Sequence, residues 1–440
     1  MQTAGTTEAI DGRAPAPARR DWTPSTIWTL GLLGVISAFN FVDRSIFGLN
    51  LQLIKEEMVI SDTMLGVISG IVFVAFYSIL GVPVARLADR YNRKKILAVG
   101  FVFWSAMTAA TGFVANVWQL ALTRFLMGAG ESTGLAPPNS MVADLFSKAN
   151  RRLGIGLYRA IAALGGIVLF PVVGWITLHY GWRASFVAMA LPTLVLTPLL
   201  LLTVREPIRG EADPGGPRRM EAAGTLKQVV AYLMGSRAFL CMLAGGICMA
   251  TTVHTNGAWS SAFLMRIRDL DPHQVGQIQG FLRQPMAFAG GLLGGYLADR
   301  LSRRDERWRM WLPAAACLAV GPMEILFLFG GSDAIWMTGL ALTSLFGMMQ
   351  MSPIFAACLD VSRPHMRATA TAIFLLVGNL IGDLIGPVTI GVLNDTLFAA
   401  HGVEAIRYSM VFGAITASCA GIFFYLGGRY IVADTARAEA

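Results

Sequence analysis

The stretch FVDRSIF, residues 41 to 47, places Asp43 beside Arg44 inside a run that otherwise reads as hydrocarbon from Ile27 to Leu53. A charge at the bilayer centre costs at least about 2.5 to 3.5 kcal/mol, so such groups pair or face a water-filled cavity. Consecutive helical residues point roughly 100° apart, so Asp43 and Arg44 cannot share one face and each needs its own neighbour. In TRFLMGAGEST, Arg124 and Glu131 are seven apart, which returns to nearly the same face about 10 Å further along, with Gly128 between them on that stripe. Two acids and two arginines in apolar segments can make and break ion pairs. A carboxylate held by an arginine stays ionised, and the same group with the bridge broken and water excluded takes up a proton. The chemistry on offer is charge switching linked to protonation, and an arginine facing a cavity also suits a phosphate or carboxylate held bidentately.

Further candidates for a substrate site are Gly128 on that stripe; Arg159 in YRAIAALGG; His254, Asn256 and Trp259 in HTNGAWSS; Arg283 with Gln284; and Asn379 with Asp383 at i, i+4. Asp383 is a candidate partner for Arg283. Arg159 sits near enough to one end of its segment to snorkel. Glu324 lies in an apolar segment with no partner that the sequence identifies.

Helices must position these residues, and composition says where. The 440 residues are 55% hydrophobic and 14% charged, with 47 glycines, which describes a chain in a bilayer. A spanning helix needs about 20 mostly apolar residues. Twelve such segments are predicted, at 25–52, 63–88, 96–115, 117–142, 153–178, 184–204, 238–265, 274–298, 310–329, 335–359, 368–393 and 405–428. Lysine and arginine favour cytoplasmic loops, and most of them fall on the connections that become internal when both termini are cytoplasmic. Lys55, Arg183, Arg266, Arg268 and Arg407 remain outside. The scattered basic charge explains the positive balance as topology and gives no nucleic-acid face. Residues 1–24 are expected to be a disordered cytoplasmic tail, 25–204 an N-terminal six-helix bundle, 205–235 a cytoplasmic linker, 236–430 a C-terminal six-helix bundle and 431–440 a second tail.

Each half carries the same signature between its second and third segments, ARLADRYNRKK at 85–95 and GYLADRLSRR at 295–304, with Asp89 and Asp299 210 residues apart. A duplicated six-helix unit follows. Five cysteines, none in a CxxC and all in apolar segments, make disulfides and zinc unexpected, and no cofactor or metal is expected. The five histidines form no catalytic cluster, GAGESTG lacks a preceding strand, and no GxxxxGK[ST] occurs, so an enzyme, a nucleotide-binding protein and an ATP-driven pump are all disfavoured. Gly378, Gly382 and Gly386, like Gly290 and Gly294, have the small-xxx-small spacing of closely packed helices.

At these motifs the chain resembles the major facilitator superfamily, whose loop signature is approximately G-x-L-A-D-R-x-G-R-K; here Ala85, Asn92 and Ser302 stand where that pattern has glycine. FVDRSIFG, ADRYNRKKIL, FWSAMTAATGF, TRFLMGAGEST and APPNSMVADLF further resemble the spinster-type lipid transporters, which include sphingosine-1-phosphate and lysophospholipid exporters. The resemblance implies an all-α fold of twelve helices in two pseudo-repeats working by alternating access. It also implies that Asp89, Arg90 and Arg93, with Asp299, Arg300 and Arg303, gate the cytoplasmic ends. It brings segments 1 and 4 together, so that Glu131 becomes a partner for Arg44 while Asp43 and Arg124 complete the network, and it favours Arg124 as the head-group cation. Asp43, Arg44 and Glu131 are then the expected proton-coupling residues. The expected partners are an amphipathic anionic substrate of lysophospholipid or sphingosine-phosphate type, protons and membrane lipids. A monomer in a bacterial inner membrane is expected, with no nucleic acid. A small organic anion such as a sugar acid, or passive uniport, are the alternatives.

Overall fold

The computed structural model describes residues 21–134, 136–147, 149–208 and 226–439, apart from the side chains of Ser78, Val82, Ala85, Asp89, Arg152 and Ala368. The helices run in order α1 (Pro24–Met58), α2 (Asp62–Val67, Ile68–Val72 and Phe73–Arg90), α3 (Arg93–Thr111) and α4 (Val117–Glu131, Ser132–Gly134 and Ala136–Leu145). The stretch Arg151–Ala190 turns at Gly181, whose φ of 81° no side-chain-bearing residue adopts easily, giving α5 before it and α6 after it, continued by Thr193–Thr203. Then follow α7 (Arg237–Arg268), α8 (Pro272–Gln277, Ile278–Arg283 and Gln284–Ser302), α9 (Trp308–Phe329), α10 (Asp333–Met349 and Met351–Asp360), α11 (Arg367–Asp395) and α12 (Ala405–Gly428). Each expected segment falls on a helix. Eight stretches of the described residues are long and apolar enough to cross a membrane; Leu153–Thr203 holds both α5 and α6, and α3, α4 and α8 lie outside the eight.

Local chemistry sets the helix ends. Thr23 accepts the amide of Thr26 ahead of Pro24, and Ser236 accepts the amide of Phe239 at the start of α7. Parts of the expected tails and linker carry ordered contacts. Asp21 is buried and accepts the Ser147 amide, the Ser147 hydroxyl and Asn150 Nδ2, so its charge is hydrogen-bonded at a loop. Ile431–Glu439 is a helix whose Asp434 accepts Ser236 Oγ and the Ala238 amide, each at 2.7 Å, and so caps α7. Leu226–Met234 forms a further helix inside the expected linker, with Val229 and Leu233 buried. Residues 1–20 and 209–225 lie outside the described residues.

The duplication is visible in the backbone. A π-helical turn occurs at Ile68–Val72 in α2 and again at Ile278–Arg283 in α8, with the same offset that separates Asp89 from Asp299. Each turn presents a glycine to the opposite half. Pro387 of α11 has no amide to give Asp383, and a Cβ on Gly70 would lie 2.5 Å from that free carbonyl. Pro171 of α5 frees Ile167 in the same way, 2.8 Å from where a Cβ on Gly280 would be. The α2–α11 and α5–α8 seams are thus copies of one contact. The repeated small residues do what their spacing predicts: Gly382 and Gly386 lie against α7, and Gly290 and Gly294 against α10.

Candidate functional site

Arg44 of α1 reaches Glu131 of α4, with Nε to Oε2 at 3.0 Å; its side chain is 35% exposed while that of Glu131 is closed off. The guanidinium also lies 4.8 Å from the Tyr77 ring centroid and 5.1 Å from that of Phe73, so α2 holds it by its aromatic faces. Arg124, 2% exposed, is stacked over Phe47 at 4.5 Å and Phe73 at 5.2 Å, with Nη1 3.4 Å from Met127 Sδ. The two arginines therefore share the Phe73 ring. Asp43, 3% exposed, turns away from Arg44 and accepts Thr108 Oγ1 of α3 at 2.6 Å. Asp43 Oδ1, Glu131 Oε1 and Arg124 Nε are buried without hydrogen-bond partners. A bare buried carboxylate oxygen is costly when ionised and is a place for a proton.

Several sequence expectations are corrected. Asp43 and Arg124 are near enough to feel each other's charge, but Asp43 is bonded to a threonine and Arg124 to rings and sulfur, so the four groups form one ion pair flanked by two unpaired charges. Arg124 is enclosed and presents no open cation to a head group; of the two arginines, Arg44 has the partly exposed side chain. Gly128 lines no open site: a Cβ there would be 2.5 Å from the Phe73 carbonyl, which makes it an α4–α2 contact point. Arg159 is exposed on α5.

In the second half, Asp383 pairs with His254 and not with Arg283: Oδ1 to Nδ1 is 2.9 Å, and both side chains are partly exposed. The backbone of Asp383 packs on α2 at Gly70, so this pair sits at the seam between the halves. Arg283 instead gives Nη1 to Ser260 Oγ, Gln279 Oε1 and the Asn256 carbonyl. Asn256 is buried and bonds Glu324 Oε2 at 3.1 Å, naming the partner that sequence did not. Trp259 is fully buried and donates to the Pro387 carbonyl at 3.0 Å, so it packs α7 on α11. Asn379 is exposed and satisfies its amide on Leu375 O at 2.9 Å.

The two ends of the bundle differ. At the end remote from the termini, Arg266 of α7 grips Asp62 of α2 with two bonds, of 2.6 and 2.8 Å; Lys55 joins at 2.6 Å and Asn394 of α11 at 2.9 Å. Arg266 also bonds Gln52, and Asp395 accepts the first amides of α2, at Asp62 and Thr63. Gly48 of α1 meets Gly257 of α7 there, leaving 2.4 Å between a Cβ and the carbonyl. Sequence reading missed this latch because Asp62 looks like a loop acid. The available signal was that Lys55 and Arg266 are two of the few cations on the side expected to lack them. At the other end, Arg90, Asp299, Arg300 and Arg303 are exposed, and Arg300 bonds only its neighbour Tyr296, at 3.2 Å. Arg93 is the exception: 1% exposed, it binds Asp144, Ser140, Glu206 and the Pro207 carbonyl and so stitches the first half to the start of the linker. The Asp89 side chain lies outside the described residues.

An apolar twelve-helix duplication with opposed buried charges defines a membrane transporter, and the sequence matches the Major Facilitator Superfamily over residues 33–387. The chain belongs to that superfamily and is an integral membrane transporter. It is 30% identical over 412 residues to an MFS-type efflux pump of Mycolicibacterium smegmatis, covering 93% of this chain and 92% of that one. It is 26% identical over 424 residues to the sphingosine-1-phosphate transporter SPNS2 of Danio rerio, covering 92% and 82%. The crystal structure of a bacterial homologue of the human lysosomal transporter spinster, inward-facing and unoccupied, superposes with a TM-score of 0.84 at 25% identity, over 94% of this chain and 99% of that one.

Proposed function

We propose that the protein is a proton-coupled secondary transporter of an amphipathic anion, of lysophospholipid or sphingosine-phosphate type, working by alternating access with Arg44–Glu131 as the proton-sensitive switch. The observation that carries this is the 3.0 Å pair itself: one partner sealed, the other 35% exposed. A proton on Glu131 removes the charge that holds Arg44. Arg44 then turns to an anion entering the seam, and binding of proton and substrate are linked by equal and reciprocal amounts. The kinship to a sphingosine-1-phosphate transporter supports the lipid-like cargo. With both termini cytoplasmic, as the basic loops argue, the Asp62–Arg266 latch closes the outer end and the protein stands open inward, in the state of its crystallographic relative. Asp89, Asp299 and their arginines then act in the opposite state, where the inner ends meet.

Uptake of a lysophospholipid into liposomes containing the full chain tests this. The wild type should accumulate it under an imposed pH gradient, and Glu131→Gln should lose that response while still exchanging substrate. A Glu131→Gln protein that is driven as well as the wild type would overturn the switch. A second reading, transport of a small dicarboxylate, is favoured by the 22% identity over 408 residues to a probable galactarate/D-glucarate transporter of Escherichia coli. Competition by glucarate and not by lysolipid would select it.

A further inference from the structure

The second half holds a buried carboxyl that the switch does not use. Glu324 is fully buried within α9. Its Oε2 accepts Asn256 Nδ2 at 3.1 Å, while Oε1 is buried with no partner. Asn256 Oδ1 in the same cluster is also buried without a partner, and the Thr343 hydroxyl borders the carboxyl. An ionised carboxylate with a bare oxygen in an apolar interior is strongly disfavoured. A proton on Oε1 neutralises the group and gives that oxygen a hydrogen to donate.

The surroundings supply little else to balance a charge. Arg283 of α8 is the charged side chain whose field acts on Glu324. It forms no direct ion pair with it, its Nη1 being engaged by Ser260 at 2.9 Å, Gln279 at 3.1 Å and the Asn256 carbonyl at 3.4 Å. The α10 sequence has no Asp, Glu, Lys, Arg or His from Ala334 to Leu359, and α12 has none from Tyr408 to Gly428. On α7 the titratable neighbour His254 is engaged by Asp383 of α11. Arg283 is only partly buried, and Asn256 touches both ends of the arrangement, through its side chain to Glu324 and its carbonyl to Arg283.

We propose that Glu324 is a second proton-binding carboxyl, with Asn256 and Thr343 as positioning residues and Arg283 relaying to it the presence of an anion between the halves. An anion that engages Arg283 cancels the positive field favouring ionised Glu324. Anion binding therefore promotes proton uptake there, and protonation promotes anion binding in return. The inference deepens the proton-coupled reading above, and its test is separable from that reading.

The test is an infrared pH titration of the full-length protein in detergent, following the carbonyl stretch of protonated carboxyl groups. A band present in the wild type and in Glu131→Gln should vanish in Glu324→Gln, an isosteric change that keeps the Asn256 bond, and should shift in frequency without vanishing in Thr343→Val. Identical spectra for Glu324→Gln and wild type would overturn the assignment. Lysophosphatidic acid, used as the anionic probe, should increase the band in the wild type and leave Arg283→Gln unchanged; an equal increase in Arg283→Gln would remove the relay. Thermal stability in sodium chloride against choline chloride guards the identity of the cation. Equal stability is expected, and a sodium-specific gain that Glu324→Gln abolishes would assign an alkali ion and overturn the proton. Failure of the Arg44–Glu131 switch shows differently, as full pH-driven uptake by Glu131→Gln with the Glu324 band intact.

Discussion

The two ends of this bundle are made of the same kinds of residue and behave in opposite ways. At the latched end, Asp62 is shared by Arg266, Lys55 and Asn394 and is nearly inaccessible. At the end with the termini, Arg90, Asp299, Arg300 and Arg303 of the repeated motifs are exposed, and among the described residues Arg300 bonds Tyr296 of its own helix. A charge contributes to holding two bodies together when it is dry and multiply bonded, whereas an exposed ion pair contributes about 0 to 1 kcal/mol. The difference teaches which end is tied together by buried charge, and that the conspicuous motif is not where those bonds lie.

The largest break in that contrast should come from Asp62→Ala. Removing one partner of a buried pair costs about 3–5 kcal/mol, and here the loss falls on the latched state alone. Cysteine accessibility at the remote end should rise by a hundredfold or more, since about 1.4 kcal/mol is tenfold. A wedge is next. Gly48→Leu meets the Gly257 carbonyl, where a Cβ already lies at 2.4 Å, and overpacking of about 1–3 kcal/mol should open the same end with Asp62 untouched. Gly294→Leu sharpens the comparison by its location. Its Cβ would sit 1.9 Å from the Met349 carbonyl inside one half, so it should lower thermal stability by a similar amount and leave remote-end accessibility as in the wild type. Arg300→Ala is the smallest: an exposed change should move stability by within about 0.5 kcal/mol. Denaturation midpoints of the four variants, measured beside accessibility, check the order.

What the sequence made legible follows from range. Helical segments, their caps and the duplication are local or periodic properties, and the twelve spans and the matched loop signatures could be read directly. Arg44 and Glu131 were legible because each is intolerable alone in a bilayer, so the demand for a partner is itself information. Arg124 was misread because an aromatic cage meets the same demand as a carboxylate, and rings of Phe47 and Phe73 do not announce themselves among 25 phenylalanines. Trp259 and Gly128 were assigned to a site for their chemistry, yet their roles are set by which backbone lies opposite, a carbonyl of α11 and one of α2. Asp383 was given Arg283 as a partner because opposite charges were matched without knowing that His254 was closer. The latch stayed hidden since its partners are far apart in the chain and each sits at a segment end, where charge is ordinary.

The account's central claim is that the Arg44–Glu131 pair helps to hold the latched state and that a proton releases it. Protonation removes an interaction present in this state, so acidification should shift the population away from it. Spin labels at Tyr180 and Leu397, both exposed near the remote end, in protein whose five free cysteines are replaced, report the opening by electron-electron distance measurement. The wild type should move from short to long distances as pH falls, and Glu131→Gln should lose most of that shift. A pH-driven shift of equal size in both proteins would contradict the account.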